Sequence, residues 1–185
     1  MTLRQQLEQY CPYNEQEAKD QELMLRYMDT FDNLLTRENE FAHFTASAWL
    51  VNKERTKVLM VYHNIYQSWS WVGGHADGEA DLLHVALKEA MEETGLTNVH
   101  PVSDEIYSIE ILGVPAHAKK GKHVATHVHL NVTYLLEADE QDETFIKPDE
   151  NSDIGWFELS KAIEVCTEPD MKVVYQKLNE KLDRN

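Results

Sequence analysis

The order of apolar and polar positions along the chain changes its period several times, and each change marks an element. Over residues 1–40 the apolar positions Leu23, Met24, Tyr27, Met28, Phe31, Leu34 and Leu35 fall at helical spacing, so this stretch is expected to be helical. From Phe41 the period shortens. Residues 44–51 and 57–63 read as strands, with a polar turn over 52–56 between them, as in a hairpin. Residues 66–72 read as a loop and short strand leading into Gly73-Gly74. Helical spacing returns with Leu82, Leu83, Ala86, Leu87 and Ala90, and Thr94-Gly95 is a stop signal, because glycine accepts the left-handed conformation past a helix end. Residues 106–114 read as a strand and 124–136 as the longest one. On the latter, Val124, Val128, Leu130, Val132, Tyr134 and Leu136 share one side, with Thr126 the exception, and His127, His129 and Asn131 share the other. A short strand at 154–157 and a helix at 158–165 follow. A last helix opens near Pro169, with Val173, Val174, Lys177, Leu178 and Leu182 on its apolar side. Alternating strands and helices place the chain in the α/β class.

Composition narrows the partners. The chain has 185 residues and a formal net charge of −16. That is long enough for a sizeable core, and it is read as a helical N-terminal extension at 1–40 followed by the main domain at 41–185. The negative charge opposes nucleic-acid polymers and anionic membrane surfaces. It does not oppose a nucleotide whose phosphates are met through a metal. Cys11 and Cys166 have no metal-like spacing and are expected to be free thiols in a reducing compartment. With no signal peptide and no membrane-length apolar run, the expectation is a cytoplasmic protein. A homodimer is carried only because symmetric dimers are common.

The chemistry concentrates at Glu89, Glu92 and Glu93. At i, i+3 and i+4 they share a helix face, and at about 100° per residue that face borders the apolar stripe instead of opposing it. Glu93 lies near the direction of Leu82 and Ala86. Carboxylates at a core edge repel one another and lose hydration unless a cation neutralises them. Mg²⁺, a hard ion with oxygen ligands, meets that need. On spacing alone a solvated acidic face stays equally open.

Residues 74–96 resemble the Nudix box, G-x5-E-x7-R-E-U-x-E-E-x-G-U with U apolar. Gly74 takes the first glycine, Glu89 the Glu after the basic position and Ala90 the first U. Glu92 and Glu93 take the Glu pair, Gly95 the last glycine and Leu96 the final U. Ala80 stands in place of the first Glu, with Glu79 one position early, and Lys88 stands in place of Arg. The resemblance implies an α/β/α sandwich with a mixed sheet, covering roughly 44–165, beside the helical N-terminal extension. It implies hydrolysis of a nucleoside diphosphate linked to another moiety, by water attack on phosphorus, with Mg²⁺ or Mn²⁺ as cofactor. Glu89, Glu92 and Glu93 would be ligands and catalytic groups, and the Gly74 carbonyl a further ligand. The two departures fall on positions that support loop and helix geometry, so they bear on rate more than on chemistry.

Substrate contacts are expected around this box. His75 follows the glycines and either touches a phosphate or, the favoured reading, hydrogen-bonds within its loop. Lys119, Lys120 and Lys122 flank Gly121 as a hairpin tip or as an arm reaching phosphates. His127 and His129 have the i, i+2 spacing of zinc ligands on a strand. With no Cys nearby and no third ligand evident in the sequence, a polar strand face lining a pocket is the better reading. Glu150 is a candidate metal or water contact, or a solvated surface group. Trp69 and Trp71 alternate with serines as core packing or as a base-stacking face. Two other activities stay open. An isopentenyl diphosphate isomerase is disfavoured because 71–75 lacks the Cys of that family. A nucleotide-binding sensor without turnover is favoured only by Ala80 and Lys88.

Overall fold

The computed structural model describes residues 1–119 and 121–182, Lys119 by its backbone alone. Strand β1 (Ala42–Asn52) is its centre and is buried along its whole length. It runs parallel to β9 (His127–Ala138), in register from Ala42 opposite Val128 to Asn52 opposite Ala138. On its other edge it runs antiparallel to β2 (Lys57–His63) and β4 (Val72–His75). The remaining strands are β3 (Ser68–Ser70), β5 (His100–Pro101), β6 (Ser108–Val114) and β10 (Asn151–Glu158). The sheet order is β10-β2-β1-β9-β5, with β3 on β2, β4 on β1 and β6 on β9. The sheet is therefore mixed.

Alternation along β1 divides the core. Phe44, Ala46, Ala48 and Leu50 pack with Leu82, Val85, Ala86 and Ala90 of α3 (Leu82–Thr94). On the opposite face Trp49 and Val51 pack with Ala162 of α4 (Leu159–Val165) and with Tyr175, Leu178 and Leu182 of α5 (Pro169–Leu182). Helices on both faces make the expected α/β/α sandwich. The face that carries Trp49 turns polar earlier along β1, where His43, Thr45 and Ser47 alternate with the apolar residues. That change opens a cavity beside α5 instead of more core.

At the N-terminus, α1 (Leu3–Gln9) and α2 (Glu15–Thr30) are helical as expected, but 31–40 is not. The chain leaves α2 at Phe31, whose N–H donates to the Tyr27 carbonyl at 2.9 Å. The Leu34 carbonyl accepts from Phe44 N–H at 2.7 Å and the Leu35 carbonyl from Gly78 N–H at 2.8 Å. Those groups serve β1 and the turn before α3 and are not available to a helix. Leu34 is still buried, so its apolar spacing belongs to a packed irregular segment. Three further expectations change. Gly73, Gly74 and His75 lie in β4 rather than in a loop, opposite Ser47, Ala46 and Thr45. Residues 115–124 contain a ribbon, β7 (His117–Lys119) against β8 (Lys122–Val124), so Val124 is not on the long strand. Val173 is 70% exposed, and the buried side of α5 is Tyr175, Lys177, Leu178, Lys181 and Leu182.

The buried lysines of α5 meet Glu17 of α2. Glu17 Oε1 lies 3.1 Å from Lys177 and 2.9 Å from Lys181, while Lys177 also reaches Glu110 of β6 at 2.9 Å. This network fastens the N-terminal helices to the sheet edge. Among the described residues, no helix is long and apolar enough to cross a membrane.

Candidate functional site

Helix α3 is fixed at both ends by local chemistry. Asp77 and Gly78 take positive φ, 47° and 96°, to make the turn before it. The Asp81 side chain accepts from His84 N–H at 3.1 Å as N-cap. Gly95 ends the helix in the left-handed region at φ 72°. Glu79 accepts from Asp81 N–H at 2.9 Å, so its carboxylate serves the start of the helix. Ala80 is exposed beside it.

The three glutamates leave α3 in three different environments. Glu93 is buried against β4: its Oε1 accepts from Gly73 N–H at 2.9 Å and its Oε2 from the Asn151 amide at 3.0 Å. Burial pushes its carboxyl up to about 7, with those two hydrogen bonds opposing the rise and Glu89 and Glu150 adding to it. Glu89 is partly buried and lies against Gly74, where a Cβ would come within 2.5 Å of its Cδ. A side chain at 74 would displace the Glu89 carboxylate. Burial also raises the Glu89 carboxyl, against the pull of Lys88. Glu92 is more exposed, and Lys88 Nζ stands 3.5 Å from Glu89 Oε1 and 3.8 Å from Glu92 Oε1. Lys147 adds a nearby positive charge and pairs with Glu150 at 3.1 Å. The carboxylates share a face as expected, but among the described residues they do not close into one set of mutually adjacent oxygens. Glu93 instead faces two neutral donors, and Glu89 and Glu92 share Lys88.

A cavity of about 650 Å³ opens beside Glu93. Glu93, Gly73, Gly74 and Glu150 line one part of it, and Tyr66 and Trp71 line another. Glu89 and Glu92 do not line it. Its polar wall is the sheet face already noted. Thr45 and Ser47 donate to Asn131 Oδ1 at 3.0 and 2.8 Å, and Asn131 donates to Glu110 at 3.0 Å. A larger hollow of about 1150 Å³ lies by α1 and residues 102–107 and holds none of the candidate glutamates or histidines.

The histidines gather on the cavity wall. His129 lies opposite His43 in the β1–β9 register, and His75 lies opposite Thr45. His127 and His129 Nε2 atoms are 3.3 Å apart. Ring centroids are 5.2 Å apart for His43 and His75, 4.9 Å for His43 and His127, and 5.0 Å for His43 and His129. His75 is therefore part of this imidazole cluster. The side chain of Lys119 and all of Lys120 lie outside the described residues. Sequence reasoning placed Asn131 on the polar strand face and gave no role to His43, Asn151 or Lys147. For His43 there was a signal, because His43, Thr45 and Ser47 repeat at period two on an otherwise apolar strand.

The family model described as NUDIX domain matches residues 42–178. The chain belongs to the Nudix family. The expected enzyme class, a hydrolase of phosphoanhydride bonds, goes with that membership. Among solved structures, the Nudix chain is similar to a binary complex of the C. elegans Ap4A hydrolase, at 20% identity and a TM-score of 0.57, over 77% of this chain and 98% of that one. It is similar to the Nudix hydrolase RenU of M. smegmatis at 15% identity and a TM-score of 0.56, over 78% and 88%. The E. coli dihydroneopterin triphosphate pyrophosphohydrolase matches at 12% identity and a TM-score of 0.54, over 72% and 92%. At these identities the likeness establishes a shared fold. No curated protein matches the Nudix chain in sequence.

Proposed function

We propose that this Nudix protein hydrolyses a nucleoside diphosphate linked to another moiety, with residues 41–185 as the hydrolase domain and 1–40 as an extension. The carrying observation is the placement of the α3 carboxylate face. Glu93 is held by Gly73 and Asn151 at the wall of a cavity that Gly74, Glu150, Tyr66 and Trp71 also line. Glu89, Glu92, Glu93 and the Gly74 carbonyl would hold Mg²⁺ or Mn²⁺. Desolvated carboxylate oxygens suit a hard divalent cation, and the missing side chain at Gly74 clears the space against Glu89. Such a cation neutralises the diphosphate and acidifies water. The protein's own part is to orient and to accept a proton. Gly73 N–H and Asn151 fix the Glu93 carboxylate, and the general base belongs to the set Glu89, Glu92, Glu93 and Glu150. His75, His127 and His129 would meet the phosphates, with Lys119 and Lys120 as an approaching arm. Tyr66 and Trp71 offer a flat apolar wall to a base. The substrate is a small molecule met in the cytoplasm, and neither a nucleic-acid polymer nor a membrane is called for. A homodimer is compatible with this reading.

The test is a panel of nucleoside diphosphate and triphosphate derivatives, including the substrate classes of the similar structures, assayed with Mg²⁺ and with EDTA. Glu92→Gln is the blank. One compound should be turned over by wild type with metal, and the variant should lose at least about 100-fold of that rate. Near-normal activity in Glu92→Gln would remove its ligand role. Binding without turnover would favour a sensor, the reading to which Lys88 between Glu89 and Glu92 lends support.

A further inference from the structure

The imidazole cluster on the cavity wall has no part in the carboxylate chemistry above, and its geometry is that of a ligand set. One ring nitrogen from each of His43, His75 and His129 lies within 4.8 Å of the other two. Nε2 of His127 stands 3.3 Å from Nε2 of His129. Two nitrogens bound to one tetrahedral zinc at about 2.0–2.1 Å are about 3.3–3.4 Å apart, so that pair already has the ligand spacing.

The second ring nitrogens show which face is offered. His43 Nδ1 stands 3.1 Å from the Asn39 carbonyl, and His127 Nδ1 stands 2.8 Å from the Ala125 carbonyl. A carbonyl only accepts, so in both neutral rings Nδ1 carries the proton and Nε2 presents a lone pair. Metal-bound histidines almost always donate the second N–H to a carboxylate, a backbone carbonyl or water. His43 is 5% exposed, and its Nε2 has no hydrogen-bond partner among the described residues. A buried acceptor left in that state costs about 1–3 kcal/mol, and a ligated cation would remove the cost. His75 and His129 are less buried and line the cavity, which gives an entry path.

We propose that His43, His75 and His129 form a second cation site for a zinc-class divalent ion, with His127 beside His129. Imidazole nitrogen selects zinc and its d-block neighbours, whereas carboxylate and carbonyl oxygen select magnesium and manganese. Of the oxygen donors, Glu93 and Gly74 line the cavity that the histidines also line, and the two donor sets sort cations by chemistry. Imidazolium rings packed at these spacings would repel one another, so the histidines would meet phosphates through a bound cation and not as protonated rings. A cation here puts fixed positive charge on the cavity wall. The site does not depend on the hydrolase reading, because its donors are separate from the glutamates.

The experiment is a zinc titration of the full-length, tag-free protein against a chromogenic chelator, in excess Mg²⁺. One equivalent of zinc should be retained. His75→Gln and His129→Gln should each weaken retention by more than about 10-fold, the size of effect that even supporting groups have at such sites. Glu92→Gln should retain zinc as wild type does. Failure to retain one equivalent overturns the site, as does retention undiminished in both histidine variants. Loss of zinc in Glu92→Gln would place the ion on the carboxylates and overturn it equally. Should a histidine variant not fold, imidazole proton resonances of the wild type decide the matter. Zinc must shift those of His43, His75 and His129, and unmoved resonances refute the site.

Discussion

Glu17 on α2 and Glu93 on α3 are hidden almost equally, 0% and 4% exposed, and are driven in opposite directions. Burial pushes both carboxyls up. At Glu17 the Tyr10 hydroxyl, Lys177, the Tyr13 N–H and Lys181 outweigh it and hold the carboxyl down at about 2. At Glu93 the Asn151 amide and Gly73 N–H oppose burial without a cation's help, and the carboxyl rises to about 7. The difference lies in the partners. Glu17 has two ammonium groups within 3.1 Å. Glu93 has two neutral donors, with Glu89 and Glu150 adding repulsion. One buried carboxylate is satisfied within the fold. The other is held in position with its charge unanswered, which is the state expected of a group that serves an incoming cation or proton.

The largest test of that contrast is stability. Glu17→Gln leaves Lys177 and Lys181 short of their counter-charge and should cost about 3–5 kcal/mol. Lys177 keeps Glu110, which sets the lower end of that range. Glu93→Gln removes an unpaired desolvated charge and, in EDTA at neutral pH, should change stability by no more than about 1 kcal/mol, or raise it. Urea unfolding of the two variants measures both. Equal losses would erase the distinction between the two sites.

Acid titration sharpens the same contrast. Glu17 is held below its ordinary 4.5, so its contribution is present above about 4.5 and is lost as pH falls toward about 2. That interval corresponds to about 3 kcal/mol. Glu93 is held above 4.5, so its contribution is present below 4.5 and is lost as pH rises through about 7. Wild type should therefore weaken steeply below pH 4.5, and Glu17→Gln should lack that limb. A variant with the full acid limb would assign it to other carboxylates.

These two regions were not equally legible in the sequence. Helix α3 is a local object: its turn, its cap at Asp81, its apolar stripe and its stop at Gly95 lie within one short stretch. The inward direction of Glu93 followed from helical geometry and the stripe beside it. The network at Glu17 was not legible, because Lys177 and Lys181 come from the far end of the chain, and Lys177 reads as one position on the apolar side of its helix. The same limit hid His43. Parallel pairing of β1 with β9 sets it opposite His129, and no local pattern fixes the register of strands so far apart in sequence. Residues 31–40 misled in the other direction. Their apolar spacing was real, but the backbone groups of Leu34 and Leu35 bond to β1 and to the turn before α3.

The smallest predicted effect concerns Lys88, which decides to which of the two classes Glu89 and Glu92 belong. Its side chain is 52% exposed, and its contacts of 3.5 and 3.8 Å are loose. An exposed pair of this kind contributes about 0–1 kcal/mol, so Lys88→Arg should leave thermal stability nearly unchanged. The guanidinium offers a planar fork in place of a point charge and can orient both carboxylates at once. If these carboxylates resemble Glu93, waiting on a cation and needing only to be aimed, turnover on the substrate found by the panel should be kept or raised by a few-fold at most, about 1 kcal/mol in the barrier. If they resemble Glu17 and are already answered by a permanent partner, the tighter grip of arginine should hold them from the metal, and turnover should fall with a rise in the Mg²⁺ concentration needed. The magnesium dependence of the rate, measured for both proteins, separates the two outcomes even where the rates differ little.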